Sequence, residues 1–542
     1  MSPMAPPAAP PASSSVPGEP RTAGARWAPR LAFLGLLLGM LATLPSFVHG
    51  WYDPTNDGAM YVLTTRSVLA GEGYSMLGIP FRIRPPGFTY LLAPLVAWRG
   101  TDFHAIHLFV SAWGIAGCLL LFHWAQARIG WLLAAAVAAL VWCNPGYQLL
   151  CNQPMSDVPG TALLLASLLL ERWADRRPSW KRDAAFGALV SLGAYVRSIN
   201  VLFVPAVLGM RLVRRLVGPR GEGEPRSWRS LGAGALAMLL ATLAVQLPWS
   251  VRNAAVAPEP PADQTLLYSY GTAFWHADMG DPASPRLTWS DVFDRMPQRG
   301  GQALGVLGNR MKERTGGAAQ DAPYAFVFLA GVLVVLLKRR ESAELFVAGT
   351  LLLISVYFGF APRLLLPILL LSLVATTEAL RDLVALLARP LRRADAPDPD
   401  ALPRRVGGSV ALVAVLGLLA FDLEPRKGWE KIEEQHGRLT EICRRFALKV
   451  DEEDVLASYR AWHYAVLMER PIYALEFVLK RHTDPETRQV DPRPMEEMID
   501  KYGIEKVLLS PARAKTDRLF LDYFEQRYGP QRDPLARVYD VR

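Results

Sequence analysis

The chain has 542 residues, of which 51% are hydrophobic and 20% charged, with a formal net charge of +9. That length exceeds one ordinary soluble domain, and the apolar residues gather into long runs, so the composition points to a membrane protein. The positive charge lies beside those runs, where it sets membrane orientation, and gives no ground for nucleic acid as a partner.

Residues 1–26 are rich in Pro, Ala and Ser without an apolar face, and predict a disordered cytoplasmic tail. The run 31–48 follows Arg26 and Arg30. A signal peptide would share this basic flank and apolar core, but no small-x-small cleavage site closes the run, so it reads as a first transmembrane helix. Further spans are expected near 105–125, 131–147, 158–171, 184–197, 199–213, 231–248, 323–337, 343–360, 363–379 and 406–422. Together they predict a mainly α, polytopic transmembrane bundle of about eleven spans over 27–423. Arginine clusters around Arg176, Arg215, Arg339 and Arg393 fall in alternate loops, which places those loops and the N-terminus in the cytoplasm. The expected location is the cell inner (cytoplasmic) membrane.

Two long loops, 50–104 and 250–322, then face outward, as does the remainder, 424–542. That remainder mixes a helical pattern at 494–502 with strand-like runs at 506–509 and 536–541, and predicts a small extracytoplasmic α/β domain. The four cysteines (Cys118, Cys143, Cys151, Cys443) have no metal spacing, and a Cys151–Cys443 bridge is the one pairing outside the spans.

The sharpest local feature is the first outer loop, which carries Asp53 and Asp57 just after a membrane helix, then Tyr61, Gly71-Glu72-Gly73-Tyr74 and Arg82-Ile83-Arg84-Pro85-Pro86-Gly87. A solvated interfacial loop would also explain these residues. Asp157, in Ser156-Asp157 at the outer end of a span, reads equally as a helix N-terminal carboxylate with Ser156 as cap. By topology both acids share one membrane face, where two carboxylates could supply a base and an acceptor-orienting or metal-binding group. Arg82, Arg84, Arg197, Arg252 and Arg363 lie on that same face against the orientation bias. Binding phosphate would account for them, as would snorkelling or pairing with the loop acids. The spans hold almost no acids, which disfavours an ion-coupled transporter.

With these segments in place the chain resembles GT-C-type glycosyltransferases, nearest to the family 39 protein O-mannosyltransferases and the lipid A aminoarabinose transferases. The resemblance rests on Asp57 with Tyr61, Gly71-Glu72-Gly73-Tyr74, Arg84-Pro85-Pro86-Gly87 and Ser156-Asp157, then on Tyr195-Val196-Arg197-Ser198, Pro248-Trp249-Ser250-Val251-Arg252-Asn253 and Pro362-Arg363-Leu364-Leu365-Leu366-Pro367. Ser198 and Leu364 depart from the family's Pro and Tyr, and Gly58 stands where many relatives carry a second acid. The resemblance implies transfer of a hexosyl or pentosyl group from a polyprenyl-phosphate donor, at the outer face, to a glycan, lipid or protein acceptor of the cell envelope. It assigns Asp57 as general base with Asp157 in support, and Arg84 as the first donor-phosphate ligand, followed by Arg363, Arg252 and Arg197. Inversion at the anomeric carbon would follow. No resident cofactor is implied; a divalent metal at the first acidic position would lack the second carboxylate that Gly58 replaces. The competing readings are a transporter or flippase of lipid-linked sugars and a non-catalytic relative.

Overall fold

The computed structural model describes residues 23–53, 55–76, 78–218, 226–256, 274–277, 284–311, 322–357, 361–392, 398–422, 429–459, 461–475, 493–510 and 515–542. Each apolar run read from the sequence falls on a helix. Among the described residues, five helices are long and apolar enough to cross a membrane: Trp27–Ser46, Phe103–Ile129, Trp228–Ala255, Pro362–Leu387 and Ala401–Ala420. A sixth is the pair Trp131–Cys143 and Pro145–Cys151, if this unit, bent by 64°, is one span. The bend has a local cause: Pro145 follows Asn144, whose side chain accepts from Tyr147 N–H at 3.0 Å and restarts the helix in a new direction.

The Phe103–Ile129 helix packs on both Trp131–Cys143 and Asp157–Arg176. It begins where Asp102 accepts from Ala105 N–H at 3.2 Å and ends at Gly130, whose φ of 83° reverses the chain. The Trp228–Ala255 helix packs on Trp180–Val196. Its outer side carries Leu236, Leu240, Leu243 and Leu247, each more than half exposed. That i, i+4, i+7, i+11 stripe of bare leucines is a surface for lipid rather than water.

The segment 50–104 is largely helical, with helices Asn56–Leu69 and Gly87–Arg99 joined through the short antiparallel pair β1 (Ser75–Met76) and β2 (Ile79–Pro80). The first of these helices starts at Asn56, so Asp57 lies in its first turn. In the C-terminal part, strands β3 (Leu456–Ser458), β4 (Tyr473–Ala474), β5 (Lys506–Leu509) and β6 (Arg537–Asp540) form a sheet in the order β4-β3-β5-β6. β3 runs parallel to β4 and β5, and β6 antiparallel to β5, with Val507 opposite Tyr539. Helices Ala461–Met468, Arg493–Tyr502 and Lys515–Tyr528 accompany it, and Met495, Met498, Ile499, Phe524 and Tyr539 share a core of their own. Cys151 and Cys443 are buried as free thiols.

Candidate active site

Asp57 owes its position to the two residues flanking Asn56-Asp57. Thr55 is extended, and its hydroxyl accepts from Gly58 N–H at 3.1 Å, capping the helix. Gly58 lies against the 153–156 turn so closely that a Cβ there would come within 2.6 Å of Thr55 Oγ1 and 2.9 Å of Pro154 Cγ. Only glycine allows that approach, and it leaves no room for the second acid of the family pattern. Seated this way, the first turn of the helix lies beside Ser156-Asp157, and the Tyr61 hydroxyl meets Ser156 Oγ at 2.9 Å.

Asp157 opens the Asp157–Arg176 helix and is 1% exposed. Ser156 makes no side-chain cap bond there, so its hydroxyl serves Tyr61 instead. Arg197 occupies the extended residue between the Trp180–Val196 helix and the Ser198–Leu202 turn, with Nη2 2.7 Å from Asp157 Oδ1. Gly160 makes space for it, since a Cβ at that position would stand 2.7 Å from Arg197 Cβ.

Arg84 donates from Nη2 to Asp57 Oδ1 at 2.5 Å, with its guanidinium 5.6 Å from the centre of the Tyr61 ring. Gly87, just after Pro85-Pro86, nearly touches the Tyr195 carbonyl, and a Cβ would lie 2.5 Å away. That contact draws the Arg84 loop toward Arg197. Arg363, in the Pro362–Leu365 turn, donates to Asp57 Oδ2 and holds its Nε 3.9 Å from Asp157 Oδ1. It thus bridges the two carboxylates from a part of the chain 306 residues beyond Asp57.

These side chains line a cavity of about 660 Å³, a size that suits a small-molecule group. The lining also includes the aliphatic side chains of Ile199, Val201, Leu202, Leu353 and Ile354. Burial pushes the Asp57 carboxyl up, but the guanidiniums of Arg84 and Arg363 outweigh it and hold it at about 2. With Asp57 on two arginines and Asp157 on a third, a divalent cation would meet carboxylates already neutralised. Among the described residues no group of three or more His, Cys, Asp or Glu is arranged to hold a metal ion.

The structure therefore brings Asp57, Asp157, Arg84, Arg197 and Arg363 together. Arg252 is not among the cavity's lining residues. Its guanidinium donates to the carbonyls of Phe81 at 2.5 Å and Tyr74 at 2.6 Å and lies against the Trp249 ring, bracing the β1–β2 loop that leads to Arg84. Two features escaped sequence reasoning. One is the Tyr61–Ser156 contact, which the aromatic one turn after Asp57 could have signalled. The other is a buried charge network at the opposite end of the bundle: Arg128 lies 2.5 Å from Glu344 and 3.2 Å from Glu378, and Arg211 pairs with Asp175 and Asp183 at 2.9 Å. Asp175 is eighteen residues along the helix from Asp157, or about 27 Å. A basic residue in the last turn of a long apolar helix, such as Arg128, was the available signal.

No protein-family model and no curated protein matches this sequence. Solved structures do match by shape. ArnT from Cupriavidus metallidurans bound to undecaprenyl phosphate superposes with a TM-score of 0.57 at 14% identity, covering 95% of this chain and 98% of that one. Its apo state gives 0.56 at 15% identity, over 96% and 98%. The oligosaccharyltransferase AglB from Archaeoglobus fulgidus, in complex with an inhibitory peptide and a dolichol-phosphate, gives 0.52 at 11% identity, over 89% of this chain and 69% of that one. At such identities the likeness is one of fold alone: this chain shares the fold of these ArnT and AglB structures.

Proposed function

We propose that the chain transfers a sugar from a polyprenyl-phosphate donor to an acceptor at the outer face of the cytoplasmic membrane. The observation that carries this reading is one cavity in which Asp57 and Asp157 are matched with Arg84, Arg197 and Arg363 and whose lining also holds aliphatic side chains. An arginine cluster suits a phosphate oxyanion and its bidentate geometry, and the aliphatic lining suits the first isoprene units. The neighbours bound to undecaprenyl phosphate and dolichol-phosphate support the same class of donor.

The chemistry follows from what the arginines do. Asp57 is held by Arg84 and Arg363. A donor phosphate entering the site takes over those guanidiniums and releases the carboxylate. The acceptor oxygen or nitrogen then attacks the anomeric carbon as the bond from that carbon to the phosphate oxygen breaks. Asp57 takes the acceptor proton, and polyprenyl phosphate leaves with its charge held by the arginines. Asp157, still tied to Arg197, orients the acceptor. Attack opposite the phosphate inverts the anomeric configuration, and the transferred group is a hexose or pentose. Mass spectrometry of envelope glycans and glycolipids from cells with and without the chain tests the reading. A sugar modification absent only without the chain is the expected result; identical envelopes, with donor lipid unchanged, would contradict it.

A further inference from the structure

The helix that carries Asp57 is anchored at both ends, and its second anchor belongs to the C-terminal part of the chain. Arg66, nine residues after Asp57 and about 13 Å along the axis, spreads its guanidinium over acceptors from two directions. It donates to Thr101 Oγ1 from Nε at 3.0 Å and Nη2 at 2.5 Å, to Ala465 O at 3.2 Å, to Val466 O at 3.0 Å and to Glu469 Oε1 at 3.0 Å. Ala465 and Val466 lie in the last four residues of the Ala461–Met468 helix, whose carbonyls have no partner within the helix. A guanidinium at that end satisfies them and meets the negative end of the helix dipole.

The segment leading into the Asp57 helix is tied to the same part of the chain. The Tyr52 hydroxyl meets His463 Nδ1 at 2.9 Å in a buried contact, and Tyr52 N–H donates to His436 Nδ1 at 3.1 Å. The His49 ring stands edge-on to Trp429, with centroids 4.8 Å apart. The approach to Asp57 and the far end of its helix are thus both fastened to residues 429–469, while Gly58 seats its first turn on Pro154.

We infer that the C-terminal part is a positioning element of the transfer site, and that Arg66 is the positioning residue that fixes the Asp57 helix against it. The inference rests on the reading of Asp57 as base. A displacement of about 1 Å can cost on the order of 100-fold in rate, and a helix released at its far end can pull Asp57 from Arg84 and Arg363. Arg66→Ala removes the five bonds made by the Arg66 guanidinium and leaves those of Tyr52 in place. Lysine keeps the charge but cannot reach Thr101 and the carbonyls as a planar fork does.

The test compares wild type, Arg66→Ala, Arg66→Lys, Asp57→Asn and the Asp57→Asn/Arg66→Ala double variant, using a polyprenyl-phosphate sugar and purified full-length protein. Arg66→Ala should lower kcat by about 10-fold or more while donor Kd stays within about 3-fold, because Arg84, Arg197 and Arg363 lie outside this helix. Arg66→Lys should recover part of the loss. In the Asp57→Asn background Arg66→Ala should cost little more, since residues acting through one group are non-additive. Equal losses in both backgrounds, or unchanged kcat in Arg66→Ala, would overturn the inference. A second readout does not depend on the chemistry: the distance between spin labels at the exposed Leu69 and Leu448, with the native cysteines replaced, should broaden in Arg66→Ala. A distance as sharp as in wild type would also overturn it. If Asp57→Asn turned over normally while the distance still broadened, the docking would stand and the base assignment would fall.

Discussion

Gly58→Ala is the substitution whose effect the geometry determines most closely. The new Cβ would sit 2.6 Å from Thr55 Oγ1, about 0.8 Å inside the 3.4 Å at which ordinary contact begins, and 2.9 Å from Pro154 Cγ. Pro154 cannot rotate away, so Thr55 must move and give up its 3.1 Å bond from Gly58 N–H. Overpacking of this kind costs about 1–3 kcal/mol and loss of the cap about 1 kcal/mol. Alanine's better helix propensity returns up to about 1 kcal/mol. The net loss is about 1–4 kcal/mol, read as a lower thermal midpoint in detergent at a fixed scan rate. Because the strain falls next to Asp57, turnover should drop further than stability, by about 10-fold or more. Gly58→Asp, which restores the acid doublet of the family pattern, should do worse. A Gly58→Ala protein with wild-type midpoint and turnover would refute the steric argument and the placement of the helix start.

Arg84 and Arg252 should separate, although both stand in motifs of the resemblance: Arg84→Ala should weaken donor binding by about 10-fold or more and Arg84→Lys should not restore it, whereas Arg252→Ala should act through the brace on Tyr74 and Phe81, lowering kcat more than donor affinity. Titration of kcat/KM supplies a pH test. Asp57 is held at about 2 in the free protein, so its ion pairs are present above the ordinary carboxylate pKa and are lost only as pH falls through about 2. No acid limb from Asp57 should appear between pH 5 and 8, and removing Arg363 or Arg84 should move that limb upward; an unmoved limb in both variants would count against the pairing. Reporters fused after Arg542 should be active only in the export-dependent form, and activity of the cytoplasmic form alone would reverse the proposed orientation.

What the sequence conveys well here is carried by long apolar runs. Their positions match helices because a span needs continuous hydrophobicity, which survives any tertiary context. The number of crossings is harder to read. The runs 158–171 and 343–360 read as spans; the helix on the first, Asp157–Arg176, continues into charged residues, and the helix on the second, Ser342–Val356, has 15 residues. The convergence of Asp57 and Asp157 follows from topology, since both precede or follow a span at the same face. Their pairing through Arg363 does not, because nothing local records a contact across 306 residues. Arg252 shows the opposite limit. Its Pro-Trp-x-x-Arg-Asn setting matches a family element, yet whether the guanidinium meets a ligand or the carbonyls of Tyr74 and Phe81 depends on how the β1–β2 loop folds over it. Glu378 was hidden in the same way: inside an apolar run it looks out of place, and only the packing supplies Arg128 as its partner.

The central claim is that Asp57 removes the acceptor proton while the arginines hold the donor. Purified, folded Asp57→Asn protein keeps the side-chain shape and loses the base, so donor binding and turnover can be measured on the same preparation. Turnover reduced by about 100-fold or more with donor affinity largely retained is the predicted result. Near-normal turnover in that protein would contradict the claim and leave Asp157 as the carboxylate to test next.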